Sequence, residues 1–396
     1  MSREPPGMTA EGPPVPLYGR ASPAEVMPSL LSALGAPGFA NELAIEPVDR
    51  ACLFLVDGLG WEQLLAHPEE APFLASVASG ELSRSITASF PATTTASLAS
   101  LGTGLPPGEH GLVGYTFALP GHDRAMNSLR WELYGIGPPV DLVGEVVPER
   151  FQPVPTVLER AEAAGLEPVL IGPLDHANSA LTRAILRGSR YRGADSPEDL
   201  IRVALGELTS GSRSSAYAYY PWLDTAGHVK GIGSEEWLGQ LRLIDRMAEA
   251  IAEGLPSGSL LAVTSDHGMV NLDPSHLIDL DAEPGLATGV RLLGGEARAR
   301  HVYAEWDREV SVLAAWRERL GDRMWVASRD EAIADGWFGP RVADRVRDRI
   351  GDVVAAAHGP VGIVQRKVDP LQAMFVGHHG SMTRAEQLVP LLQVRT

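Results

Sequence analysis

The chain has 396 residues, of which 44% are hydrophobic, and its 50 acidic against 33 basic residues give a net charge of −17. This length and apolar content suit a large buried core, and the negative charge argues against a nucleic acid polymer or an anionic membrane as partner. The only cysteine, Cys52, excludes an intramolecular disulfide and a thiolate cluster, so any metal ligands must be histidines and carboxylates.

Residues 1–20 are rich in proline and glycine and are predicted to form a loose N-terminal arm. They lack the apolar centre of a signal peptide, and no run of about 18 apolar residues occurs along the sequence. These features predict a cytoplasmic protein that does not span a membrane. The sequence does not indicate an oligomeric state.

From residue 21 onward, short apolar runs alternate with longer segments of helical period. This alternation predicts an α/β fold, with a doubly wound, mostly parallel sheet that has helices on both faces. The clearest predicted strands are residues 51–56, 167–171, 215–220 and 260–264. The clearest predicted helices are residues 155–164, 197–208 and 234–253, the last with Ser234 as its N-cap.

Two segments interrupt this alternation. Residues 115–150 contain a turn rich in proline and glycine between two strand-like stretches. Residues 270–375 are predicted to form a smaller inserted lid subdomain, with a strand at 300–306 and a helix at 308–320. The catalytic core would then comprise residues 21–269 and 376–396, and both excursions are expected to shape a substrate pocket.

Ligand-type side chains follow two of the predicted strands. Asp57 comes directly after the strand 51–56, and Asp266 with His267 comes shortly after the strand 260–264. Ligands of a doubly wound sheet gather beyond the carboxyl ends of its strands, so these side chains are expected to meet. The alternatives are a helix cap for Asp57 and a solvated turn for the Asp-His pair.

Two further segments carry ligand-type residues. Asp224 and His228 stand four residues apart after the strand 215–220, a spacing that puts both side chains on one side of a helical turn. His379, beside His378 in a glycine-flanked segment, is either a ligand or a surface loop residue. Taken in order, these segments and a threonine-rich run predict a two-metal site.

The threonine-rich run lies in residues 90–104 and reads as a loop that enters a helix of small residues. A threonine at the start of this helix would lie at its positive end, where backbone N–H groups favour an anionic oxygen. Such a hydroxyl is a candidate nucleophile, although a capping cluster is the alternative. Spacing alone does not choose among Thr93, Thr94 and Thr95.

In this order, the five segments resemble the alkaline phosphatase superfamily, in particular its branch of nucleotide pyrophosphatases and type I phosphodiesterases. The similarity spans roughly residues 50–390. In that branch the nucleophile lies nine residues before the Thr of a Thr-Gly pair; here Thr103 and Gly104 form the pair, which selects Thr94. The resemblance implies two metal sites, one formed by Asp224, His228 and His379 and the other by Asp57, Thr94, Asp266 and His267.

The resemblance also implies an activity and its cofactors. The protein would hydrolyse a small-molecule phosphate ester or nucleotide through a phosphothreonine at Thr94. Two divalent ions would assist, with zinc best suited to histidine and carboxylate ligands and manganese or magnesium as alternatives. A phosphomonoesterase or a phosphonate hydrolase on the same core stays open, and a metal-binding protein without turnover is a weaker alternative.

One position departs from the family pattern. Phosphodiesterases of this branch carry an asparagine about 21 residues after the nucleophile, which holds a nonbridging phosphate oxygen, and here that position is Tyr115. The residues considered for this substrate-binding role are Tyr115 itself, Asn127 and Asn178. Asparagine in loops more often forms turns, so none of them is selected by the sequence.

Overall fold

The structure, a computed structural model, describes residues 13–209 and 214–396. Residues 1–12 of the predicted arm therefore lie outside the described residues. Residues 13–20 contact the body of the protein instead of forming a loose arm. The Tyr18 hydroxyl donates to the Trp337 carbonyl at 3.1 Å and accepts from the Phe90 N–H at 2.9 Å. Both contacts satisfy polar groups that would otherwise be buried without partners.

A seven-stranded sheet forms the centre of the molecule. Its strands, in spatial order, are Arg84–Thr87, Leu388–Arg395, Ser259–Thr264, Arg50–Val56, Ser214–Tyr220, Val169–Gly172 and Arg190–Gly193. Leu388–Arg395 pairs antiparallel with both of its neighbours, and the other pairs are parallel. The predicted mostly parallel sheet is confirmed, and it contains all four strands predicted most clearly.

Side chains of the central strand alternate between two apolar clusters, one on each face of the sheet. Leu53 and Leu55 pack into the first cluster, whereas Cys52 and Phe54 pack into the second. The first cluster includes side chains of the helices Pro23–Ala33, Thr94–Thr103, Val157–Ala163 and Ala180–Ile185. The second includes side chains of the helices Trp61–Ala66, Pro72–Ala78, Pro197–Thr209 and Glu235–Gly254. Helices therefore cover both faces, as the α/β pattern predicts.

The excursion at residues 115–150 forms a four-stranded antiparallel sheet. Its strands are Thr116–Phe117, Ala125–Asn127, Glu132–Tyr134 and Val140–Asp141. A second four-stranded antiparallel sheet lies within the segment predicted to be a lid, in the order Val290–Glu296, Ala299–Ala304, Val353–Ala357 and Met324–Ser328. The two small sheets touch, since the Thr116 hydroxyl donates to the Gly295 carbonyl at 2.9 Å.

The helices Glu309–Leu320 and Arg329–Ala334 accompany the second small sheet. This sheet and the longer helix share an apolar cluster of their own around Trp316 and Val302, both buried. The predicted strand at 300–306 ends at Ala304, and the predicted helix at 308–320 begins at Glu309. The boundaries 270 and 375 of a separate subdomain stay a prediction.

Short elements complete the fold. Val270–Asn271 pairs antiparallel with Gly377–His378, so the chain leaves the core and returns to it at the same place. The remaining short helices are Pro107–His110, Pro148–Phe151, Trp222–Lys230, Pro284–Ala287, Asp344–Arg347 and Arg384–Gln387, and Leu277–Asp279 pairs parallel with Gly362–Val364. Across the described ranges, no helix combines the length and apolar character needed to cross a membrane.

Candidate metal centre

Six of the side chains predicted to bind metal form two clusters beyond the carboxyl ends of the parallel strands. Within each cluster the ligand atoms lie within 4.8 Å of one another; the clusters are Asp224, His228 and His379, and Asp57, Asp266 and His267. The Thr94 hydroxyl oxygen lies 3.3 Å from the Nε2 atom of His267, beside the second cluster. The seven positions, drawn from five segments of the chain, thus meet in one place.

Neighbouring strands bring two of the carboxylates together. Asp57 follows the strand Arg50–Val56, and its N–H donates to the Tyr220 carbonyl at 3.0 Å at the end of the adjacent strand. Gly58 has a φ of +77°, and a Cβ atom there would lie 3.0 Å from the Cα atom of Asp224. Glycine is therefore required for both the backbone conformation and the close approach.

Hydrogen bonds to the backbone orient the three imidazole rings of the clusters. Each Nδ1 atom lies within hydrogen-bond distance of a carbonyl oxygen: His228 at 2.8 Å from Gly377, His379 at 2.8 Å from Ala92, and His267 at 3.0 Å from Gly268. A carbonyl only accepts, so we assign the proton to Nδ1 in each ring. The Nε2 atoms, which face the clusters, are then free to bind a metal ion.

One carboxylate oxygen of each aspartate has no hydrogen-bond partner among the described residues. These buried atoms are Asp57 Oδ1, Asp224 Oδ1 and Asp266 Oδ2. The Nε2 atom of His267 lies 3.5 Å from Asp57 Oδ1 and 3.4 Å from Asp266 Oδ2, and the Nε2 atom of His228 lies 3.5 Å from Asp224 Oδ1. Unpartnered buried carboxylate oxygens are costly, and together with imidazole nitrogens they form the donor set of a divalent metal site. The residues present therefore fit two metal ions.

The electrostatics of the clusters agree with this fit. Burial, together with the charges of Asp266 and Asp224, raises the pKa of Asp57 well above its usual range. Burial, with His267 and His228 nearby, lowers the pKa of His379 well below its usual range. A cation among these groups would relieve the repulsion between carboxylates and would favour the neutral imidazoles.

The structure distinguishes Thr94 from the threonines on either side of it. Thr94 is the first residue of the helix Thr94–Thr103, and its hydroxyl is the one that faces His267. The Thr95 hydroxyl donates to the Gly114 carbonyl at 3.0 Å, and Thr93 is the N-cap residue that precedes the helix. The Thr95 hydroxyl is thus engaged in a structural contact, whereas Thr94 lies at the positive end of the helix beside the cluster.

Two cavities flank Thr94. The larger, of about 460 Å³, extends toward the two small sheets and is lined by Tyr115, Asn127 and Glu296. The smaller, of about 370 Å³, lies on the Asp57 side and is lined by His176, Tyr217, Tyr219 and several apolar side chains. Both cavities share Thr94, Arg130 and Asp224 in their walls. A substrate centred at Thr94 can therefore extend in two directions.

Comparison with known proteins places the chain in a family. Residues 51–382 match the family described as type I phosphodiesterase / nucleotide pyrophosphatase. The chain belongs to this family. It is accordingly a hydrolase of phosphate esters, and the predicted resemblance is confirmed. No curated protein matches the sequence significantly.

Several solved structures have the same fold as this chain. Murine ectonucleotide pyrophosphatase/phosphodiesterase 5 is similar with a TM-score of 0.64 and 18% identity, over 86% of this chain and 87% of that one. An inactive variant of the murine protein has been solved in complex with AMP. Phosphonoacetate hydrolase from Sinorhizobium meliloti, in complex with phosphonoformate, has a TM-score of 0.64 and 18% identity, over 88% of this chain and 90% of that one. At these identities the likeness shows the shared fold.

The structure separates the three residues considered for substrate binding. Tyr115 and Asn127 line the larger cavity together with Thr94, and the Asn127 amide donates to the Tyr115 hydroxyl at 2.9 Å. The Asn127 side-chain oxygen already accepts from two backbone N–H groups, which fixes the amide in place. Asn178 is exposed and is not among the residues that line either cavity.

Three side chains at the centre were not predicted from the sequence. Tyr219 donates a hydrogen bond to Asp57 Oδ2, and its position one residue before the end of the strand Ser214–Tyr220 could have indicated it. Glu296 is buried, and its Oε2 atom lies 3.7 Å from the Nδ1 atom of His379. Burial raises the pKa of Glu296 to about 8. Neither Glu296 nor the exposed Arg130 lies in a local pattern that signals a site.

Proposed function

We propose that the protein is a two-metal phosphodiesterase that acts through a covalent phosphothreonine at Thr94. One observation carries this proposal: three buried carboxylate oxygens without partners converge with three imidazole Nε2 atoms beside the Thr94 hydroxyl. Asp224, His228 and His379 would hold one ion, and Asp57, Thr94, Asp266 and His267 would hold the other. Zinc suits this mixture of imidazole and carboxylate donors best.

When bound, the two ions would stabilise negative charge on the entering and leaving oxygens at phosphorus. The protein itself orients the side chains that would bind the ions. The hydrogen bonds from Nδ1 keep the three imidazole rings in a fixed tautomer. The Tyr219 hydroxyl donates to Asp57 Oδ2, and the Gly58 N–H donates to Asp266 Oδ1, so both carboxylates are held in place. The clusters are thus oriented before substrate arrives.

Thr94 supplies the nucleophile. Its hydroxyl gives up a proton to solvent as the oxygen forms a bond to phosphorus. The bond from phosphorus to the leaving ester oxygen breaks, and that oxygen takes a proton from solvent to depart as the alcohol. The start of the ten-residue helix Thr94–Thr103 favours negative charge on the attacking oxygen. Water then attacks phosphorus in the second step, which releases the phosphate product and restores the Thr94 hydroxyl.

The two cavities favour a diester over a monoester. A diester carries an organic group on each of two ester oxygens, and the cavities of about 460 Å³ and 370 Å³ on either side of Thr94 offer room for both. A monoester would leave one cavity filled only with water. Phosphonate hydrolysis is the second candidate, because phosphonoacetate hydrolase has the same TM-score of 0.64 to this chain as the murine phosphodiesterase.

The test compares three substrates with zinc present: p-nitrophenyl phosphate, bis-p-nitrophenyl phosphate and p-nitrophenyl thymidine monophosphate. We expect a diester to give the highest kcat/KM, and we expect Thr94→Ala and chelator-treated protein to lose the activity. Thr95→Ser is the matched control, because its side chain keeps the hydroxyl that bonds to the Gly114 carbonyl. Full activity in Thr94→Ala would refute the covalent mechanism, and preference for the monoester would assign the protein as a phosphatase.

Two further proposals concern the setting of this activity. We propose that the substrate is a small molecule, in keeping with the AMP and phosphonoformate found in the neighbouring structures. We also propose a cytoplasmic location, with which the single buried thiol of Cys52 is compatible. Detection of the native protein in the soluble cytoplasmic fraction after lysis would test the location.

A further inference from the structure

The larger cavity beside Thr94 has an unusual lining for a site that acts on an anionic substrate. Apart from the metal ligands, its charged and aromatic side chains are mostly carboxylates and rings, namely Glu132, Glu296, Asp369, Tyr115, Tyr134 and Phe375. Anions are normally received by arginine, lysine or backbone N–H groups. The acidic side chains of this cavity therefore suit a bound group of positive charge.

Two of these carboxylates are almost fully buried. Glu296 and Asp369 are each 6% exposed. Asp369 Oδ1 accepts from the Gln372 N–H at 3.1 Å, which fixes its orientation. The Oε1 atom of Glu296 has no hydrogen-bond partner among the described residues, although Glu296 lines the cavity. A buried carboxylate that lacks a donor is costly, and a cation bound in the cavity nearby would offset its negative charge.

Among the described residues, the cavity wall offers these carboxylates few cationic partners. Arg300 lies behind the wall and offsets part of their charge, but its guanidinium donates to the Ile363 carbonyl at 2.8 Å and to Gln372 Oε1 at 3.0 Å. Arg130 is the one guanidinium among the described lining residues, and it is exposed at the place where both cavities meet Thr94. Apart from histidines and the ligand Asp224, the charged side chains in the described part of the wall are thus three carboxylates and one exposed guanidinium.

Aromatic rings border the same space. The rings of Tyr115 and Tyr134 meet edge to face with centroids 6.0 Å apart, and Phe375 stacks on His228 with centroids 4.5 Å apart. The faces of phenol and phenyl rings attract ammonium groups. Rings and carboxylates around one cavity form the combination that recognises an organic cation.

We propose that the larger cavity binds an ester group that bears an ammonium ion, so that the substrate is a phosphodiester of an amino alcohol. This inference rests on the proposed phosphodiesterase function. The negative phosphate would lie at Thr94 and Arg130, and the ammonium group would lie among Glu132, Glu296 and Asp369. A second phosphate, or the carboxylate of a phosphonoacetate, would face these acidic side chains and bind weakly.

The first experiment measures hydrolysis of p-nitrophenyl phosphorylcholine and of methyl p-nitrophenyl phosphate by the zinc-loaded protein. Both are diesters, and they differ in the charge of the second ester group. We expect a higher kcat/KM for the choline ester, and we expect Glu132→Gln with Asp369→Asn to reduce that preference about tenfold. Asp123→Asn is the matched control, because Asp123 is an exposed carboxylate in the same segment that does not line the cavity. If the double variant does not fold, the same comparison is made with Glu132→Gln alone, which alters a half-buried side chain.

The second experiment measures binding by calorimetry, with phosphocholine and phosphonoacetate as the probes and zinc-loaded protein. We expect tighter binding of phosphocholine, and we expect the double variant to lose the difference. Equal binding of the two probes, or a choline preference that survives removal of the carboxylates, would overturn the inference. Absence of turnover on both esters would count against the proposed phosphodiesterase, whereas the calorimetric preference would still decide what this cavity binds.

Discussion

The metal-ligand clusters and the larger cavity occupy adjacent space but are built in different ways. Asp57, Asp224 and Asp266 stand shortly after strands of the central sheet, whereas His379 follows the short strand Gly377–His378. The cavity wall comes from two small antiparallel sheets, which contribute Tyr134 and Glu296, and from the segment before His379 that contributes Asp369. On the proposed function, the sheet edge would position the reacting groups, and the small sheets would determine which substrate reaches them.

Removal of a metal ligand should have the largest effect. We expect Asp224→Asn to lose bound zinc and to lower kcat/KM by roughly 10²- to 10³-fold, because Asp224 Oδ1 is one of the unpartnered oxygens. Elemental analysis and diester hydrolysis would measure both effects. Asp245→Asn is the control, since Asp245 is a buried carboxylate that accepts from the Leu74 N–H at 2.8 Å, away from the clusters. That variant should lose stability but keep its zinc; equal zinc content in both variants would contradict the assignment.

A substitution at the strand junction tests how tightly the sheet positions the ligands. We expect Gly58→Ala to lower stability by about 1–3 kcal/mol and to weaken zinc binding, because a Cβ atom at φ +77° would lie 3.0 Å from Asp224. Gly121→Ala carries the same backbone penalty at φ +81° but has nothing within 4 Å. Denaturant unfolding and zinc titration of the two variants would separate backbone strain from displacement of Asp224. Equal zinc affinity in both would rule out the displacement.

Filling one cavity should change substrate preference more than stability. Thr182 is half-buried and lines the smaller cavity, whereas Val229 is exposed and lines the larger one. We expect Thr182→Phe to raise the KM for bis-p-nitrophenyl phosphate several-fold, about 1 kcal/mol, with less effect on p-nitrophenyl phosphate. We expect Val229→Phe to retain more diester activity than Thr182→Phe, because the new phenyl ring at position 229 can turn toward solvent. Equal losses on both substrates would contradict the assignment of one ester group to each cavity.

Protonation of a buried histidine outside the clusters should have a smaller effect. Burial lowers the pKa of His110 to about 3, below the value near 6.5 of the unfolded chain. The unfolded state then binds the proton more readily, so the stability that the neutral ring contributes is lost as pH falls from about 6.5 toward 3. We expect His110→Gln to flatten the fall in unfolding free energy between pH 6 and pH 4, by roughly 1 kcal/mol per pH unit at most. An unchanged slope in denaturant titrations would show that His110 does not contribute.

Most strands at the centre of the main sheet were predicted from the sequence, because apolar runs mark strands that are buried on both faces. The edge strand Arg190–Gly193 was not predicted, because its side chains are largely exposed and show no apolar run. The strand Leu388–Arg395 was missed as well, although it is mostly buried, and it is the one antiparallel strand of the central sheet. Pairing partners far apart in the chain leave no local signal of direction or order.

The sequence by itself determined the family and the parallel sheet, and it predicted which residues would form the two candidate metal clusters, because strand ends and short ligand spacings are local features. Only the tertiary structure decided that Thr94 rather than its neighbours faces His267, that Asn178 lies away from both cavities, and that Glu296 and Asp369 face the site. Glu296 stands 202 positions after Thr94 in the sequence, so no local pattern connects them. Contacts between such distant segments depend on how the small sheets pack on the core, and that packing is a property of the whole fold.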